Sequence, residues 1–286
     1  MTLPPLAAEN LTHVLGFPIT NSYVTSTLTV VGFIIFGWLI KQAVSKYANV
    51  APKGLLNFFE AILEFLLEFM DRVTRDRKKS IKFLPIVGAL FFFILVSNWI
   101  GLLPGIGSIG VWQVHHGVLE LIPIFRPANT DLNMTLAMSV FVVIASHLLG
   151  IAAIGFFKYA NKFIKLGDVY KAVISGSPTK ILVACIEFVV GLIEIFSEIA
   201  KMASLSLRLF GNVFAGEVLL TVLASIIAYF VPLPFIALEL LVGIVQATVF
   251  AMLTLVYLSI ATTEVHEHDA VTHAEEPDML EPTPTV

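Results

Sequence analysis

The chain has 286 residues, of which 57% are hydrophobic and 13% are Asp, Glu, Lys or Arg, and its mean hydropathy is +0.91. Soluble domains carry about 25% charged residues, so this composition excludes an ordinary soluble protein and indicates an integral membrane protein. The net charge of −4 excludes little, because the acidic and basic residues are segregated along the chain. The sequence contains no internal repeat, nucleotide-binding loop or cluster with metal-ligand spacing, and we expect no cofactor, no metal and no nucleic-acid partner.

The amino-terminal part predicts an external segment followed by a first membrane span. Residues 1–24 are mostly polar or proline-containing, and no Asp, Glu, Lys or Arg occurs between Glu9 and Lys41. The apolar run from about residue 25 to 40 therefore has enough uncharged chain around it to cross a bilayer.

Residues 51–73 predict an amphipathic helix. Polar side chains recur at steps of 3, 4, 4 and 3, while leucines, phenylalanines and other apolar residues fill the opposite side. The pattern is typical of a helix that lies at the membrane surface and turns an acidic stripe to water or to a partner protein. The stripe consists of Asn57, Glu60, Glu64, Glu68 and Asp71.

Two further spans are predicted before the middle of the chain. Residues 83–103 form an apolar run that ends at Leu-Pro-Gly, and residues 104–130 are predicted to be a loop. Asp131 suits the N-cap of a third span, residues 132–157, because its carboxylate can accept backbone hydrogen bonds at a positive helix end.

The distribution of Lys and Arg predicts the orientation. The four segments that separate the spans contain nine, one, five and no basic residues in chain order. Because basic residues concentrate on the cytoplasmic side, the amino terminus is expected outside and the carboxy terminus inside. The acidic tail, residues 265–286, is predicted to be disordered. The sequence gives no function to it or to the loop at 158–178.

The last two helices are predicted to be unusually long. Residues 178–226 are 49 residues, or about 73 Å of unbroken helix, whereas the hydrocarbon core of a bilayer is about 30 Å thick. A second long helix follows a Pro-containing turn at 231–234. Ordinary tilts reach only about 40°, so the first helix must either break or lie strongly inclined. Of the two, we expect residues 178–264 to form a strongly inclined hairpin. The predicted fold is a single all-α membrane domain over 1–286, with three spans in 25–157, about five membrane-embedded helices in all and one surface helix.

The hairpin carries an arginine in its middle. A guanidinium stays protonated, and its insertion at a bilayer centre costs about 3 kcal/mol on the lower scales, so an intramembrane arginine predicts a function. Glu194, Lys201 and Arg208 recur at steps of seven and therefore share one helix face. Asn212 lies one turn beyond Arg208.

Two carboxylates lie closer to the outer turn. Glu217 is nine residues beyond Arg208 and points away from it, and Glu239 lies at a comparable depth on the second helix. Gln246 is then near the level of Arg208. These positions predict two proton-accessible regions separated by a fixed positive charge, and the alternative interpretation is an ion-pair network that only holds the helices together.

Four segments resemble one family. Residues 204–217, SLSLRLFGNVFAGE, closely resemble the signature of the subunit a family of bacterial-type F-type ATP synthases. Residues 246–259, QATVFAMLTLVYLS, resemble the last-helix motif of that family, and LLP at 102–104 and TDLNMTL at 130–136 also match. The order of the elements agrees too, so the resemblance covers about residues 25–264.

The resemblance implies a non-catalytic stator that forms two offset half-channels to and from a rotating ring of c subunits. It further implies b subunits of the peripheral stalk and the rest of the synthase as partners, and the bacterial inner membrane as the location. Arg208 would be the essential stator arginine, and Glu194 would belong to the inner half-channel. Glu217 and Glu239 would line the outer half-channel. Many relatives have His at one of these two positions, so the resemblance does not assign a separate role to each carboxylate. It places Asn212 and Gln246 near the arginine.

Two other classes of function fit part of this pattern. An ion-coupled secondary transporter could use the buried arginine to bind an anionic substrate, but it would be expected to show repeated or broken helix pairs, and the sequence shows neither. A structural scaffold would contain no ion pathway. Co-purification with a c-ring and a soluble ATPase distinguishes the three classes. The coupling ion, H⁺ or Na⁺, stays open because it binds largely on the c subunit.

Overall fold

The fold is seen in a computed structural model that describes residues 5, 7–14, 16–46, 54–103, 105–115, 118–163, 174, 178–226 and 230–262. Within these residues the chain forms seven α-helices. Their bounds are α1 (Asn21–Lys46), α2 (Leu55–Thr74), α3 (Arg77–Ile100), α4 (Leu132–Ile154), α5 (Phe156–Phe163), α6 (Pro178–Ile226) and α7 (Pro232–Thr262).

Four of these helices are long and apolar enough to cross a membrane: Asn21–Val44 in α1, and all of α3, α4 and α7. The prediction of an all-α membrane protein is therefore confirmed. The 49-residue α6 is not among the four. It carries seven charged residues along its length, and both its position in the bilayer and the inclination of the hairpin stay predictions.

Two short β-hairpins lie in the predicted external segment and in the predicted loop at 104–130. Strand β1 (Asn10–Val14) pairs with β2 (Phe17–Thr20), and β3 (Gly110–His115) pairs with β4 (Val118–Pro123), both antiparallel. The Gln113 side chain donates a hydrogen bond to the Leu11 carbonyl at 3.0 Å, which joins the two hairpins. Asn21, at the start of α1, donates to the Pro123 carbonyl at 3.3 Å. The hairpins therefore form one small unit at the amino-terminal end of α1.

The third span ends earlier than predicted. Helix α4 stops at Ile154 rather than at residue 157, because Gly155 adopts a left-handed backbone with φ of 93°. Glycine takes this conformation at no steric cost, and the chain then restarts as α5. The predicted N-cap at the other end of α4 is confirmed, since the Asp131 side chain accepts a hydrogen bond from the Asn133 amide at 2.9 Å.

Helix α2 has the predicted amphipathic character. Leu66 and Met70 are buried in the core of the bundle, whereas Glu60, Glu64 and Glu68 of the acidic stripe are exposed. At the end of the stripe, a hydrogen bond from Ser80 and then the neighbouring Arg77 guanidinium lower the pKa of Asp71. The predicted position of α2 on the membrane surface is untested by these contacts. Residues 51–53 of the predicted helix and the tail from residue 263 lie outside the described residues.

The core is formed mainly by α3 and α7, and α2, α4 and α6 pack against them. Ile94 of α3, Leu209 of α6 and Phe250 of α7 are almost fully buried in it. The Trp99 indole at the end of α3 donates a hydrogen bond to the Leu240 carbonyl of α7 at 3.2 Å. In contrast, α1 leaves large apolar side chains such as Trp38 exposed, as expected for a helix that faces lipid.

Gly150 lets three helices meet closely. A β-carbon at this position would contact the Tyr159 ring of α5 and would lie 2.8 Å from the Ala261 carbonyl oxygen of α7. A backbone oxygen cannot swing aside as a flexible side chain can. The approach of α4 to α7 therefore requires glycine here.

We expect Gly150→Ala to destabilise the purified protein in detergent by about 1–3 kcal/mol, the usual cost of inserting a methyl group into a packed interior. Thermal or denaturant unfolding measures the change. Gly32→Ala is the matched control, because a β-carbon at Gly32 of α1 meets nothing within 4 Å. Equal stability of the Gly150 and Gly32 variants would contradict this packing argument.

Candidate functional site: a polar cavity and an exposed arginine

A cavity of about 240 Å³ lies between α3, α6, α7 and the segments that flank the second hairpin. The volume is sufficient for several water molecules. Most of the wall is apolar or backbone, but six polar side chains contribute to it. These are Asn98, Arg126, Glu217, Thr221, Glu239 and Gln246. The cavity therefore brings together three residues that the sequence analysis placed on the proton path.

Glu217 is fixed by a salt bridge. Its Oε2 atom accepts a hydrogen bond from Nη2 of Arg126 at 3.1 Å. The arginine side chain is only 3% exposed and the glutamate side chain 25%. An arginine buried to this degree needs a counter-ion, because an unpaired charge in an apolar interior is costly.

Glu239 has a different environment in the same cavity. It is half-buried, and its side chain makes no hydrogen bond or ion pair with any described residue. The carboxyl group lies against the backbone of α6 at Gly216. A β-carbon there would coincide with the position of the Glu239 carboxyl group. The absence of a side chain at residue 216 therefore creates the space that the carboxylate occupies.

Asn212 and Gln246 connect the cavity to the neighbouring surface of α6. The Asn212 Nδ2 atom donates a hydrogen bond to Oε1 of Gln246 at 2.9 Å. The contact follows from the hairpin, since Asn212 lies fourteen residues before the end of α6 and Gln246 fourteen residues after the start of α7. Gln246 is 4% exposed, whereas Asn212 is exposed. The pair therefore lies between the cavity and the outside of the hairpin.

Arg208 lies one turn from Asn212 on the exposed side of α6. Its guanidinium donates a hydrogen bond to Ser204 at 3.3 Å, and it makes no ion pair with any described residue. The surrounding surface contains Leu207, Gly211 and Ala215, which are also exposed. An arginine on an open, mostly uncharged face can be reached by a carboxylate on another protein.

Glu194 is far from Arg208 and farther from the cavity, whose α6 residues lie beyond Arg208. It lies fourteen residues before Arg208 on α6, which corresponds to about 21 Å along the helix. Its region contains a second polar group, in which Lys201 binds Glu198 at 2.6 Å and lies 5.3 Å from the centre of the Tyr257 ring. Burial, followed by the charges of Glu198 and Glu194, raises the pKa of Tyr159 to about 12.

The Tyr159 phenol therefore stays neutral at physiological pH. It lies 2.7 Å from Nδ1 of His147 on α4. Neither this group nor the cavity resembles a metal centre: within the described ranges, no three His, Cys, Asp or Glu side chains are grouped as a metal ion would need.

Arg126 is the site residue that sequence reasoning missed. In the sequence it is distinguished only as the single basic residue in 104–130. The partner Glu217 lies 91 positions away, and helix periodicity cannot relate residues on different elements. The signal available in the sequence is a charged residue alone among apolar ones, five residues before a predicted N-cap.

Comparisons with known proteins agree with one another. The ATP synthase A chain family matches residues 24–259. ATP synthase subunit a of Campylobacter concisus is 33% identical over 222 residues, which cover 77% of this chain and 82% of that protein. ATP synthase subunit a of Campylobacter curvus is also 33% identical, over 82% of this chain and 88% of that protein.

A third relative extends the match over more of the chain. The sodium ion specific ATP synthase subunit a of Propionigenium modestum is 31% identical over 257 residues, which cover 89% of this chain and 78% of that protein. The family match covers α3 and α4 in full and all but three terminal residues of each of the other two candidate spans, and it includes the polar cavity and Arg208. The chain is therefore a multi-pass membrane protein that belongs to the ATP synthase A chain family.

Proposed function

We propose that this protein is subunit a of an F-type ATP synthase, the stator that carries protons to and from a rotating c-ring and so couples proton flow to ATP synthesis. The observation that carries the proposal is the connection between the two-carboxylate cavity and the exposed Arg208 face through the Asn212–Gln246 hydrogen bond. Family membership and the names of the relatives support it. In this role the chain is not itself an enzyme.

The cavity serves as the outer half-channel. Glu217 and Glu239 offer carboxylates to water in the cavity, and Gln246 with Asn212 leads from there towards the arginine. The c-ring lies against the exposed face of α6, and the inner half-channel begins near Glu194. The amino terminus is outside and the carboxy terminus is in the cytoplasm, with b subunits holding the stator.

The electrostatics of the exposed arginine explain coupling. A carboxyl group on a c subunit must be neutral while it faces lipid, because a charge in hydrocarbon is costly. When that group reaches Arg208, the guanidinium favours its ionised form and the proton leaves to one half-channel. Reprotonation from the other half-channel allows the carboxyl group to return to lipid. The same positive charge blocks direct passage of protons between the half-channels.

Arg208→Ala is expected to abolish coupled ATP synthesis without preventing assembly, and Arg208→Lys is not expected to rescue it. Alanine removes the cation, and lysine retains only a compact ammonium without the planar five-donor fork. ATP synthesis and passive proton conductance are measured on the same membrane vesicles, with recovery of the complex as the check on assembly. Passive conductance is expected to rise in the alanine variant.

The matched control is Arg72→Ala, which removes an exposed arginine from α2 that lies over the Phe69 ring. Its synthesis rate should equal that of the unmodified complex. Normal synthesis in Arg208→Ala would remove the basis of the proposal.

Gly216→Ala tests the outer half-channel without removing a charge. The new methyl group would displace the Glu239 carboxyl group. Because that group is the end of a flexible side chain, α6 should keep its position and the complex should assemble. We expect ATP-driven proton pumping to slow severalfold. Gly37→Ala in α1, where a β-carbon meets nothing within 4 Å, should pump normally, and an unaffected Gly216 variant would argue against a role for Glu239.

Sodium tests the identity of the coupling ion. One relative is named as sodium ion specific, whereas we propose protons for this chain. ATP synthesis driven by an artificial pH gradient should then proceed at the same rate in nominally sodium-free and sodium-rich buffer. A strict requirement for Na⁺ would assign the sodium ion instead and would leave the stator role unchanged.

A further inference from the structure

Arg126 has more partners than Glu217 alone. Its Nη1 atom donates to the Ala7 carbonyl at 3.1 Å, and Nη2 donates to the Pro5 carbonyl at 2.8 Å as well as to Glu217. The Arg126 backbone amide donates to the Thr25 hydroxyl at 3.2 Å. The guanidinium is therefore held by the amino-terminal segment and by Glu217, and the Arg126 backbone is held by α1.

These contacts fix the orientation of the Arg126 guanidinium. A guanidinium is a planar fork whose five N–H donors have fixed directions, so two carbonyl contacts determine where the others point. The second N–H of Nη2 meets the Glu217 carboxylate. The position of Glu217 at the cavity is consequently set by the amino-terminal segment as well as by its own helix.

The two cavity carboxylates, Glu217 and Glu239, therefore differ in what protonation would cost. Protonation of Glu217 would leave the buried guanidinium without its counter-ion, which is a strongly unfavourable state. Glu239 has no such partner among the described residues and can gain or lose a proton without breaking an ion pair. Among the described residues a further titratable group near this corner is Glu9, which accepts a hydrogen bond from Asn21 and interacts electrostatically with Glu217.

We propose that Arg126 is a positioning residue that keeps Glu217 as a fixed counter-charge, so that Glu239 is the carboxylate that exchanges protons with the cavity. The assignment rests on the proposed function and divides the work between the two outer carboxylates. Arg126 itself transfers no proton.

A double-mutant cycle separates a counter-charge from a proton carrier. Glu217→Gln alone leaves a buried positive charge at the cavity, which repels protons, so passive conductance should fall strongly. Arg126→Gln/Glu217→Gln removes both charges, and most of the conductance should return. Glu239→Gln should abolish conductance in the unmodified protein and in the double variant alike.

The measurement is passive proton conductance of vesicles stripped of the soluble ATPase, expressed per assembled complex. If the role of Arg126 were purely structural, its replacement would change the amount of assembled complex and would leave the conductance per complex unchanged. If the double glutamine variant assembles poorly, Arg126→Met/Glu217→Leu replaces it, because apolar side chains of similar volume often substitute for a buried ion pair without loss of stability.

Three outcomes would overturn the assignment. Conductance in the double variant that stays as low as in Glu217→Gln would make Glu217 a proton carrier. Normal conductance in Glu217→Gln would show that Glu217 is neither a required counter-charge nor a proton carrier. Failure of both double variants to assemble would give the pair a structural role only. In each case, loss of synthesis in Arg208→Ala would still support the stator function, whereas normal synthesis there would remove that function itself.

Discussion

The cost of placing a charge in apolar surroundings determines how α6 is used. The helix carries seven charged residues through a largely hydrophobic protein, and those at the site are arranged in one of two ways. Glu217 turns inward and is neutralised by Arg126, whereas Arg208 turns to the open face and has no acidic partner among the described residues. The Glu217 charge is thus part of the internal packing of the protein, whereas the Arg208 charge is suited to bind a group on another molecule.

The hairpin of α6 and α7 supplies the geometry for this division. Because the two helices run antiparallel from one turn, residues at equal distances from that turn meet, as Asn212 and Gln246 do. Gly216 provides the space next to Glu239 in the same way. The path from cavity to arginine is therefore a property of the register between two helices, and a shift of one residue in either helix would separate its members.

Local sequence rules predicted the parts of this protein that depend on one element at a time. The 49-residue helix, the acidic stripe of α2 and the Asp131 N-cap follow from periodicity and capping, and the structure contains all three. The Arg126–Glu217 pair depends on a contact between distant segments, which no local rule relates. The two hairpins were also missed, since each strand has only four to six residues and little alternation.

The contacts of Arg126 also bear on the order in which the protein is made. Pro5 and Ala7 leave the ribosome before Arg126, yet the arginine that binds them is joined by Glu217 only after 91 further residues have been synthesised. Since chains emerge and fold from the amino terminus onward, the Arg126 guanidinium lacks the Glu217 counter-ion during the early part of insertion. The cavity is thus completed only after Glu217 and Glu239 have been synthesised, and an extension added before Pro5 would be attached to its wall.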